Sequence, residues 1–360
     1  MNAITPLKKA QPDQSSLSYP IAEPPAPGTV IAVAPGVFWL RMPLPFVLNH
    51  INLWLLEDGD GWTIVDCGFS TDEARGCWEQ IFARYLNGKP VTRVIVTHFH
   101  PDHIGLCDWL CKQHQLLPWM TKGEYLQAHL VHKRLGGIEP EYMRELMMRH
   151  GLDDARMKWI EEREHLYARG VPTLPHAHRR IRDNETIAIG AHAWRVVAGH
   201  GHSPEHASLY CEKLGVFIAG DMLLPRISTN VSVWPAEPES DPVGEFLDSL
   251  ARYATLDACT LVLPSHGLPF QGLHARVSAL REHHRVRLER VTQACGVTQG
   301  PQRAVDVLPV LFDRTFDDHH LLFAMGEAIA HLNCLMHRGV LRRSVNGSGN
   351  YQFESTGKSL

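Results

Sequence analysis

The chain has 360 residues, of which 44% are hydrophobic, and a formal net charge of −4 at pH 7. This length and composition can bury a substantial core and predict more than one domain. The slightly acidic balance gives no overall footprint for nucleic acid, and no apolar run is long enough to span a membrane. The eight cysteines are scattered, which favours thiols in a cytoplasmic protein over a disulfide framework.

The amino-terminal part of the sequence predicts an arm followed by a hairpin. Residues 1–29 are polar and proline-rich and lack a signal-peptide core, so we expect a flexible arm. Residues 51–56 and 62–68 read as two strands joined by the turn sequence at 58–61, a pattern typical of a β-hairpin. Asp66 lies near the end of the second of them.

The most informative segment lies at residues 94–105, where a β-branched strand is followed by four potential metal ligands. These are His98, His100, Asp102 and His103. Borderline divalent metals such as zinc prefer imidazole and carboxylate ligands, and a spacing of one or two residues on a tight turn lets such ligands diverge toward two adjacent ions. A histidine-rich surface loop is the plain alternative, because the chain contains 23 histidines.

Ligand-type residues also follow three later apolar strands. His202 comes after the strand near 194–198 and a glycine-rich turn, Asp221 follows residues 216–220, and His266 follows residues 261–264. Glycine and proline in these segments force the chain to turn directly after each strand. We therefore expect the four strand ends to converge at one edge of a pair of sheets.

This ordered set resembles the signature of the metallo-β-lactamase superfamily, in the hydrolase branch that carries the His-x-His-x-Asp-His motif. The resemblance covers roughly residues 30–272. It implies an α/β fold, a four-layer αβ/βα sandwich, with the metal site at one end of the paired sheets. It also implies a ligand assignment: His98, His100 and His202 for the first metal, Asp102, His103 and His266 for the second, and Asp221 bridging both.

The resemblance implies two divalent metal ions as cofactors, with Zn²⁺ preferred over Mn²⁺ or iron. A water shared between two such cations ionises near neutral pH, and the resulting bridging hydroxide can attack a carbonyl or phosphoryl centre. Asp102 could accept a proton in addition to ligating, so Asp102 and Asp221 are the predicted catalytic residues. We expect hydrolysis of a small-molecule ester, thioester or lactone.

Further residues near these loops are candidates for supporting or substrate-binding roles. Asp66, His200 and His206 are predicted to hydrogen-bond to the ligands and orient them, although turn capping or plain packing would also explain them. Arg226 and Asn230 lie just after Asp221 and are candidate substrate contacts. A structural turn is the alternative for both.

Residues 120–182 predict a helix-rich insertion between two metal-ligand loops. Segments 122–130 and 141–148 have apolar residues at helical spacing, and a long connection at this place can form a lid over the cleft. The insertion contains several histidines, which lack ligand partners at metal spacing and are expected to be solvated or packed. Tyr142, Met143, Met147 and Met148 are expected to be helix core rather than a binding surface.

Residues 273–360 predict a separate carboxyl-terminal domain. Helices at 274–294 and 321–338 are followed by a hairpin formed by 340–345 and 351–354, an order that resembles a winged-helix module. A similar appendage occurs in β-lactamase-like 2 proteins, some of which act on single-stranded RNA. Residues 274–343 contain ten arginines, no lysines and seven acidic residues, which is a weak basic surplus for phosphate binding. Arg338, Arg342 and Arg343 cluster at the end of the second helix and at the hairpin.

Three alternative functions follow from these features. The same metal site could make the protein a single-stranded RNA endonuclease, with RNA bound by the carboxyl-terminal module. That module could instead pack on the catalytic domain or on a second subunit, as in a homodimer. A mononuclear iron persulfide dioxygenase shares the fold but needs only two histidines and the aspartate at the position of Asp221. A binding module without activity would be expected to lose some of the seven ligands.

Overall fold

The computed structural model describes residues 17–137, 139–154, 156–157, 166–296, 300–313 and 318–360. Two sheets carry most of the strands, and a small third sheet lies near the carboxyl terminus. Within the described residues, no helix has both the length and the apolar composition that a bilayer crossing requires.

The first sheet has seven strands in the order of the sequence. They are β1 (Val30–Ala34), β2 (Val37–Pro43), β3 (His50–Asp58), β4 (Gly61–Val65), β5 (Val91–Ile95), β6 (Pro118–Met120) and β7 (Arg179–Arg180). Strands β1 to β4 are antiparallel neighbours, and β3 and β4 form the predicted hairpin with Asp58 opposite Gly61. Strands β4 to β7 pair in parallel.

The second sheet has five strands in the order β12-β11-β10-β9-β8. They are β8 (Thr186–Ile189), β9 (His192–Gly199), β10 (His206–Cys211), β11 (Val216–Gly220) and β12 (Leu261–Pro264). Strands β8 to β11 pair antiparallel, whereas β11 and β12 pair in parallel. Each sheet therefore contains a parallel pair, β4/β5 or β11/β12, whose carboxyl ends lie at one edge.

The two sheets face each other across a shared apolar layer. Trp39 and Trp54 of the first sheet are buried together with Trp194 and Ile218 of the second. The antiparallel strands alternate inward and outward side chains, so each sheet also has an outer apolar face that helices must cover. Helices lie on both outer faces, and the predicted four-layer αβ/βα sandwich is confirmed.

Three helices on the amino-terminal side connect strands of the first sheet. They are α1 (Asp72–Tyr85), α2 (Pro101–Ile104) and α3 (Cys107–His114). The hydroxyl of Thr71 accepts a hydrogen bond from the amide of Ala74 and so caps α1. Trp78 of α1 and Leu110 of α3 belong to the core on the outer face of the first sheet. The short helix α2 contains Asp102 and His103 of the predicted metal loop.

The described part of the segment between β6 and β7 is rich in helix, as the sequence predicted for the insertion. It contains α4 (Lys122–Lys133), α5 (Pro140–Arg149) and α6 (Leu166–Gly170). Met143 and Met147 of α5 are buried in the core, whereas Tyr142 is 47% exposed. The prediction of helix core is therefore confirmed for these two methionines and for Met148, which is partly buried against the same core, and it is wrong for Tyr142, which lies on the solvent side of α5.

The carboxyl-terminal part packs on the second sheet. It follows α7 (Pro242–Tyr253) and comprises α8 (Leu273–Ala294), α9 (Ala304–Leu311), α10 (Asp318–His337), β13 (Leu341–Val345) and β14 (Tyr351–Ser355). The two strands pair antiparallel, as predicted for the hairpin. Phe246 of α7, Leu280 of α8 and Leu332 of α10 belong to the same core as Phe217 of β11. The described part of residues 273–360 thus shares a continuous core with the second sheet.

The described part of the predicted arm, residues 17–29, contacts the folded chain. Leu17 and Tyr19 pack against the core that contains α8. The amide of Ser18 donates to the carbonyl of Gln271 at 3.2 Å. This stretch is tied to the body of the protein next to the start of α8.

All eight cysteines are thiols, and the sulfur atoms of Cys107 and Cys111 lie 4.0 Å apart.

Candidate metal centre

The predicted ligands follow the carboxyl ends of strands from both sheets. His98 follows β5 of the first sheet, and the second sheet contributes His202 after β9, Asp221 after β11 and His266 after β12. Because carboxyl ends of parallel strands meet at the same edge, the pairs β4/β5 and β11/β12 bring these loops together. The structure places all seven predicted ligands at this one edge.

The ligand atoms form two groups, within each of which they lie within 4.8 Å of one another. One group comprises His98, His100, His202 and Asp221, and the other comprises Asp102, His103 and His266. The histidines and Asp102 divide between the groups as the resemblance implied, and Asp221, which the resemblance gave as a bridge, falls by this distance in the first group. Each group offers the three or four nitrogen and oxygen donors that a divalent cation requires.

The carboxylate of Asp221 lies between the two groups. Its Oδ2 is 3.3 Å from Nε2 of His202 and 3.8 Å from Nε2 of His98. Its Oδ1 is 3.5 Å from Nε2 of both His103 and His266. One oxygen therefore faces each group, which is the arrangement that a bridging carboxylate needs.

The distances between donor atoms agree with metal coordination. Two nitrogen ligands at about 2.0–2.1 Å from a tetrahedral zinc lie roughly 3.3 Å apart. The Nε2 atoms of His98 and His202 are separated by 3.3 Å, and Nε2 of His266 is 3.4 Å from Oδ2 of Asp102. Nδ1 of His100 lies closer to Nε2 of His98, at a hydrogen-bond distance of 2.9 Å. The residues present therefore fit divalent cations.

Two polar atoms inside the cluster are buried and have no hydrogen-bond partner among the described residues. They are Nε2 of His103 and Oδ1 of Asp221. A buried polar atom left without a partner costs about 1–3 kcal/mol. A cation between these atoms would satisfy both, which is a second reason why the site fits a metal.

Asp66 orients the metal loop from beneath. Its carboxylate accepts hydrogen bonds from the amide of Thr97 at 2.7 Å, from the Thr97 hydroxyl at 2.8 Å and from Nδ1 of His103 at 2.8 Å. Since a carboxylate can only accept, Nδ1 of His103 carries a proton and Nε2 is the ring nitrogen that faces the cluster. Asp66 adopts a positive φ of 63°, a conformation that aspartate tolerates better than most residues.

Backbone carbonyls orient two further histidines in the same way. Nδ1 of His202 lies 2.8 Å from the carbonyl of Asn230, and Nδ1 of His266 lies 2.9 Å from the carbonyl of His50. A carbonyl can only accept, so both rings carry their proton on Nδ1 and direct Nε2 toward the cluster. Each ring is therefore held in the tautomer that ligates through Nε2.

The electrostatics differ between the two ligand groups. Burial favours neutral imidazoles in the first group, whereas in the second group the nearby carboxylates outweigh burial and raise the pKa of His103 well above its ordinary value and that of His266 above it. Burial lowers the pKa of His98 well below its ordinary value and that of His100 to about 3. Burial alone would raise the pKa of Asp221, but His266 and His103 hold it well below its usual range. Neutral imidazole and ionised carboxylate are the forms in which these side chains bind metals.

The two other predicted supporting histidines differ in their contacts. His206 is fully buried, its Nε2 accepts from the amide of Asp221 at 3.3 Å, and its ring centroid is 4.8 Å from that of His98. His200 instead bonds through Nδ1 to the carbonyl of Pro204, within its own loop, at 2.8 Å. Gly201 has a φ of 93°, and the turn there separates the side chain of His200 from that of His202. The prediction that His200 supports a ligand is corrected accordingly.

The two candidate substrate contacts have structural partners. The main-chain carbonyl of Asn230 orients His202, and its side-chain oxygen accepts from the hydroxyl of Ser232 at 2.9 Å. Arg226 is exposed, with its guanidinium 5.9 Å from the ring centroid of Tyr19. The contacts of Asn230 match the structural alternative, and a substrate role for either residue stays a prediction.

Several residues at the site were not found from the sequence. Glu124 is fully buried and accepts hydrogen bonds from the metal loop and from the loop after β9. Burial raises the pKa of its carboxyl to about 7. The spacing Thr121-x-x-Glu124 is typical of residues that cap the start of a helix. The sequence therefore gives no sign that Glu124 binds the two ligand loops instead. Asn52 donates to the carbonyls of Pro264 and Gly267 and anchors the loop of His266.

Comparison with known proteins agrees with this geometry. A family model described as the metallo-beta-lactamase superfamily matches residues 47–266, and a second, described as the metallo-beta-lactamase-like C-terminal domain, matches residues 288–356. The crystal structure of a beta-lactamase domain protein from Burkholderia ambifaria is 48% identical, with a TM-score of 0.89, and the match covers 95% of this chain and 99% of that one. A metallo-beta-lactamase family protein from Thermus thermophilus is 30% identical, with a TM-score of 0.74 and coverage of 90% and 100%.

Among curated proteins, the probable metallo-hydrolase YqjP of Bacillus subtilis is 27% identical over 305 residues, which are 83% of this chain and 92% of that protein. The first family model spans more than half of the chain, and its matched region contains the whole candidate metal centre. The chain belongs to the metallo-β-lactamase superfamily, with the carboxyl-terminal domain of metallo-β-lactamase-like proteins. It is an enzyme of the metal-dependent hydrolase class.

Proposed function

We propose that this protein is a dinuclear metal-dependent hydrolase that acts on a small-molecule ester, thioester or lactone. The observation that carries the proposal is the position of Asp221, with one carboxylate oxygen facing each of two groups of ligand atoms. A site for one cation would need only one of these groups. Zn²⁺ is the proposed metal, because nitrogen ligands dominate both groups.

The seven ligand residues would hold the two cations, and the carboxylates of Asp102 and Asp221 would partly balance their positive charge. When bound, two divalent cations supply an ionised water as nucleophile and stabilise the oxyanion and the leaving group. Asp102 lies with Oδ2 3.4 Å from Nε2 of His266, where its carboxylate would help hold the second cation and would also accept a proton from the attacking water. The Nδ1 hydrogen bonds of His103, His202 and His266 keep their rings fixed while charge develops on the substrate.

An apolar loop near the metal centre supports a substrate with an apolar portion. The loop between β2 and β3 exposes Phe46 by 50%, Val47 by 93% and Leu48 by 39%. The ring of Phe46 packs edge-on against Phe69 at 5.2 Å, and the next strand begins at His50, whose carbonyl orients His266. Exposed apolar side chains gathered beside a site commonly mark a binding surface.

The observations give less support to RNA cleavage. In the cluster proposed for phosphate contact, Arg342 pairs with Glu354 at 2.9 Å and Arg343 pairs with Glu239. Arginines already neutralised by carboxylates contribute little to phosphate binding. The second ligand group, Asp102, His103 and His266, weighs against a mononuclear iron dioxygenase, which has no need of it.

Metal analysis combined with a substrate panel tests the proposal. Protein loaded with Zn²⁺, Mn²⁺ or Fe²⁺ would be assayed on esters, thioesters and lactones with short and long acyl groups, on single-stranded RNA and on a persulfide. We expect two metal equivalents per chain and hydrolysis of one of the first three classes, with Asp221→Ala abolishing turnover and lowering bound metal. One iron per chain with oxygen uptake, or full activity of Asp221→Ala, would contradict the proposal.

The proposed location is the cytoplasm, because all eight cysteines are thiols and seven of them are buried. The proposed partner is a small-molecule substrate. RNA bound through the carboxyl-terminal module and a second copy of the chain in a homodimer are the alternative partners, and no membrane partner is proposed.

A further inference from the structure

One buried carboxylate connects the two loops that supply the histidines of the first ligand group. Oε2 of Glu124 accepts from the amide of Phe99, between His98 and His100, at 3.0 Å. Oε1 accepts from the hydroxyl of Ser203 at 2.7 Å and from the amide of Glu205 at 2.6 Å. Glu124 is fully buried, so no water competes for these three hydrogen bonds.

These contacts replace the local ones that the sequence of the helix would ordinarily make. Thr121 and Glu124 stand at the spacing of a capping box, in which each side chain would satisfy amides of its own helix. Instead, the Thr121 hydroxyl donates to the carbonyl of Glu205 at 2.7 Å and makes no capping bond. The side chain of Glu205 accepts from the amide of Gly123 at 2.9 Å and serves as the cap. The side chain of Glu124 therefore binds the amide of Glu205 in the loop after β9, and the side chain of Glu205 in turn binds the amide of Gly123 at the start of α4.

We propose that Glu124 is a positioning residue that sets the distance between the loop of His98 and His100 and the loop of His202. The inference rests on the proposed function, in that these three histidines are taken as ligands of one metal. A carboxylate offers one oxygen to each loop and joins them directly. Tyr167 reinforces the same point, because its hydroxyl donates to the carbonyl of Phe99 at 2.7 Å.

The effect of Glu124 is expected to be selective for the first ligand group. The second group has separate supports, since Asp66 orients His103 and the carbonyl of His50 orients His266. Neither support contacts Glu124 in the described residues. A variant at Glu124 should therefore change one metal affinity and leave the other as it is.

Glu124→Gln isolates this role with little change in volume. An amide has one acceptor oxygen in place of two, so either the Phe99 amide or the Glu205 amide loses its acceptor. Each affinity is measured separately by titrating Co²⁺ into backgrounds that leave one group complete, His266→Ala for the first group and His202→Ala for the second. Asp108→Asn is the matched control, because Asp108 is also buried but pairs with Lys112 at 2.7 Å.

In the His266→Ala background, we expect Glu124→Gln to weaken Co²⁺ binding about 10–100-fold and to shift the visible Co²⁺ spectrum. In the His202→Ala background, affinity and spectrum should be unchanged, as they should for Asp108→Asn in both. Ser203→Ala, which removes one of the three hydrogen bonds, should give a smaller loss in the same direction and serves if Glu124→Gln does not fold.

Unchanged binding in the first background, or equal losses in both, would overturn the positioning role. A loss that follows a lowered unfolding temperature and also occurs in Asp108→Asn would show a general structural role and would overturn it as well. Wild-type protein that binds no metal would contradict the proposed function itself. The two failures are therefore distinguishable.

Discussion

The carboxylate of Asp66 accepts a hydrogen bond from Nδ1 of His103 at 2.8 Å, and both groups are buried. The same carboxylate also accepts from the amide and the hydroxyl of Thr97. These three bonds fix the start of the metal loop and the tautomer of His103. Asp66 is thus the support of the second ligand group, as Glu124 is proposed to be of the first.

Replacing Asp66 with asparagine should weaken the metal centre without changing the fold. Asparagine tolerates the positive φ at this position, but its single acceptor oxygen cannot serve three donors. We expect metal affinity or kcat/KM to fall about 10–100-fold, measured by metal titration and by kinetics. Asp241→Asn is the control, because Asp241 accepts from the amide of Gly244 at the start of α7. Wild-type metal binding by Asp66→Asn would contradict the role of Asp66.

Gly105 ends the metal loop at a place with no room for a side chain. A Cβ there would lie 2.5–2.6 Å from the carbonyl oxygens of Gly170, Pro101 and Gly68. Gly105→Ala should therefore destabilise the protein by about 1–3 kcal/mol, measured by denaturant unfolding. Gly76→Ala is the opposite control, since Gly76 lies in α1 with open space around its Cβ position, and it should stabilise by about 0.5–1 kcal/mol. Equal effects of the two changes would refute this packing account.

Three histidines between α8 and α10 should make stability depend on pH. Burial lowers the pKa of His331 to about 4, that of His283 to about 3 and that of His284 well below its ordinary value. The unfolded chain takes up these protons near pH 6.5, whereas the folded chain resists them. The contribution of these neutral histidines to the free energy of unfolding is therefore complete above about pH 6.5 and is lost as the pH falls below that value.

The variant His284→Phe tests this dependence. The phenyl ring suits a site where Phe246 already packs edge-on at 5.5 Å, and it cannot be protonated. Between pH 6.5 and 5, we expect the variant to lose about 1.5 kcal/mol less unfolding free energy than the wild type, measured by urea unfolding at each pH. His176→Phe, at an exposed histidine, is the control and should keep the wild-type slope. Parallel curves for wild type and His284→Phe would exclude this origin.

The arginines near the carboxyl-terminal hairpin should contribute little to RNA affinity. Arg342 and Arg343 pair with Glu354 and Glu239, and replacing both together with Arg338 by alanine should leave any RNA binding and its salt dependence unchanged. Fluorescence anisotropy with a single-stranded oligonucleotide at several salt concentrations measures both. Weaker binding together with a flatter salt slope would favour the nuclease alternative.

Local signals were sufficient to predict apolar strands that end in candidate ligand residues and the turn at 58–61. The layered fold was predicted only through the resemblance that the ordered ligand set bears to the superfamily. Contacts between distant loops carry no such signal. Asn230 acts through its backbone carbonyl, which any residue would provide, and Glu124 has the spacing of an ordinary capping residue. The turn at Gly201 decides the direction of His200, and only the three-dimensional structure shows it.

The split origin of the ligands has a consequence for the order in which the protein is assembled. The first sheet contributes four of them, and His202, Asp221 and His266 arrive only with the second. A nascent chain that ends before His202 contains neither complete ligand group. Tight metal binding must therefore follow the packing of the two sheets against each other. Removing the cations from the mature enzyme with a chelator would then break a link between the two sheets and lower the unfolding temperature of the protein.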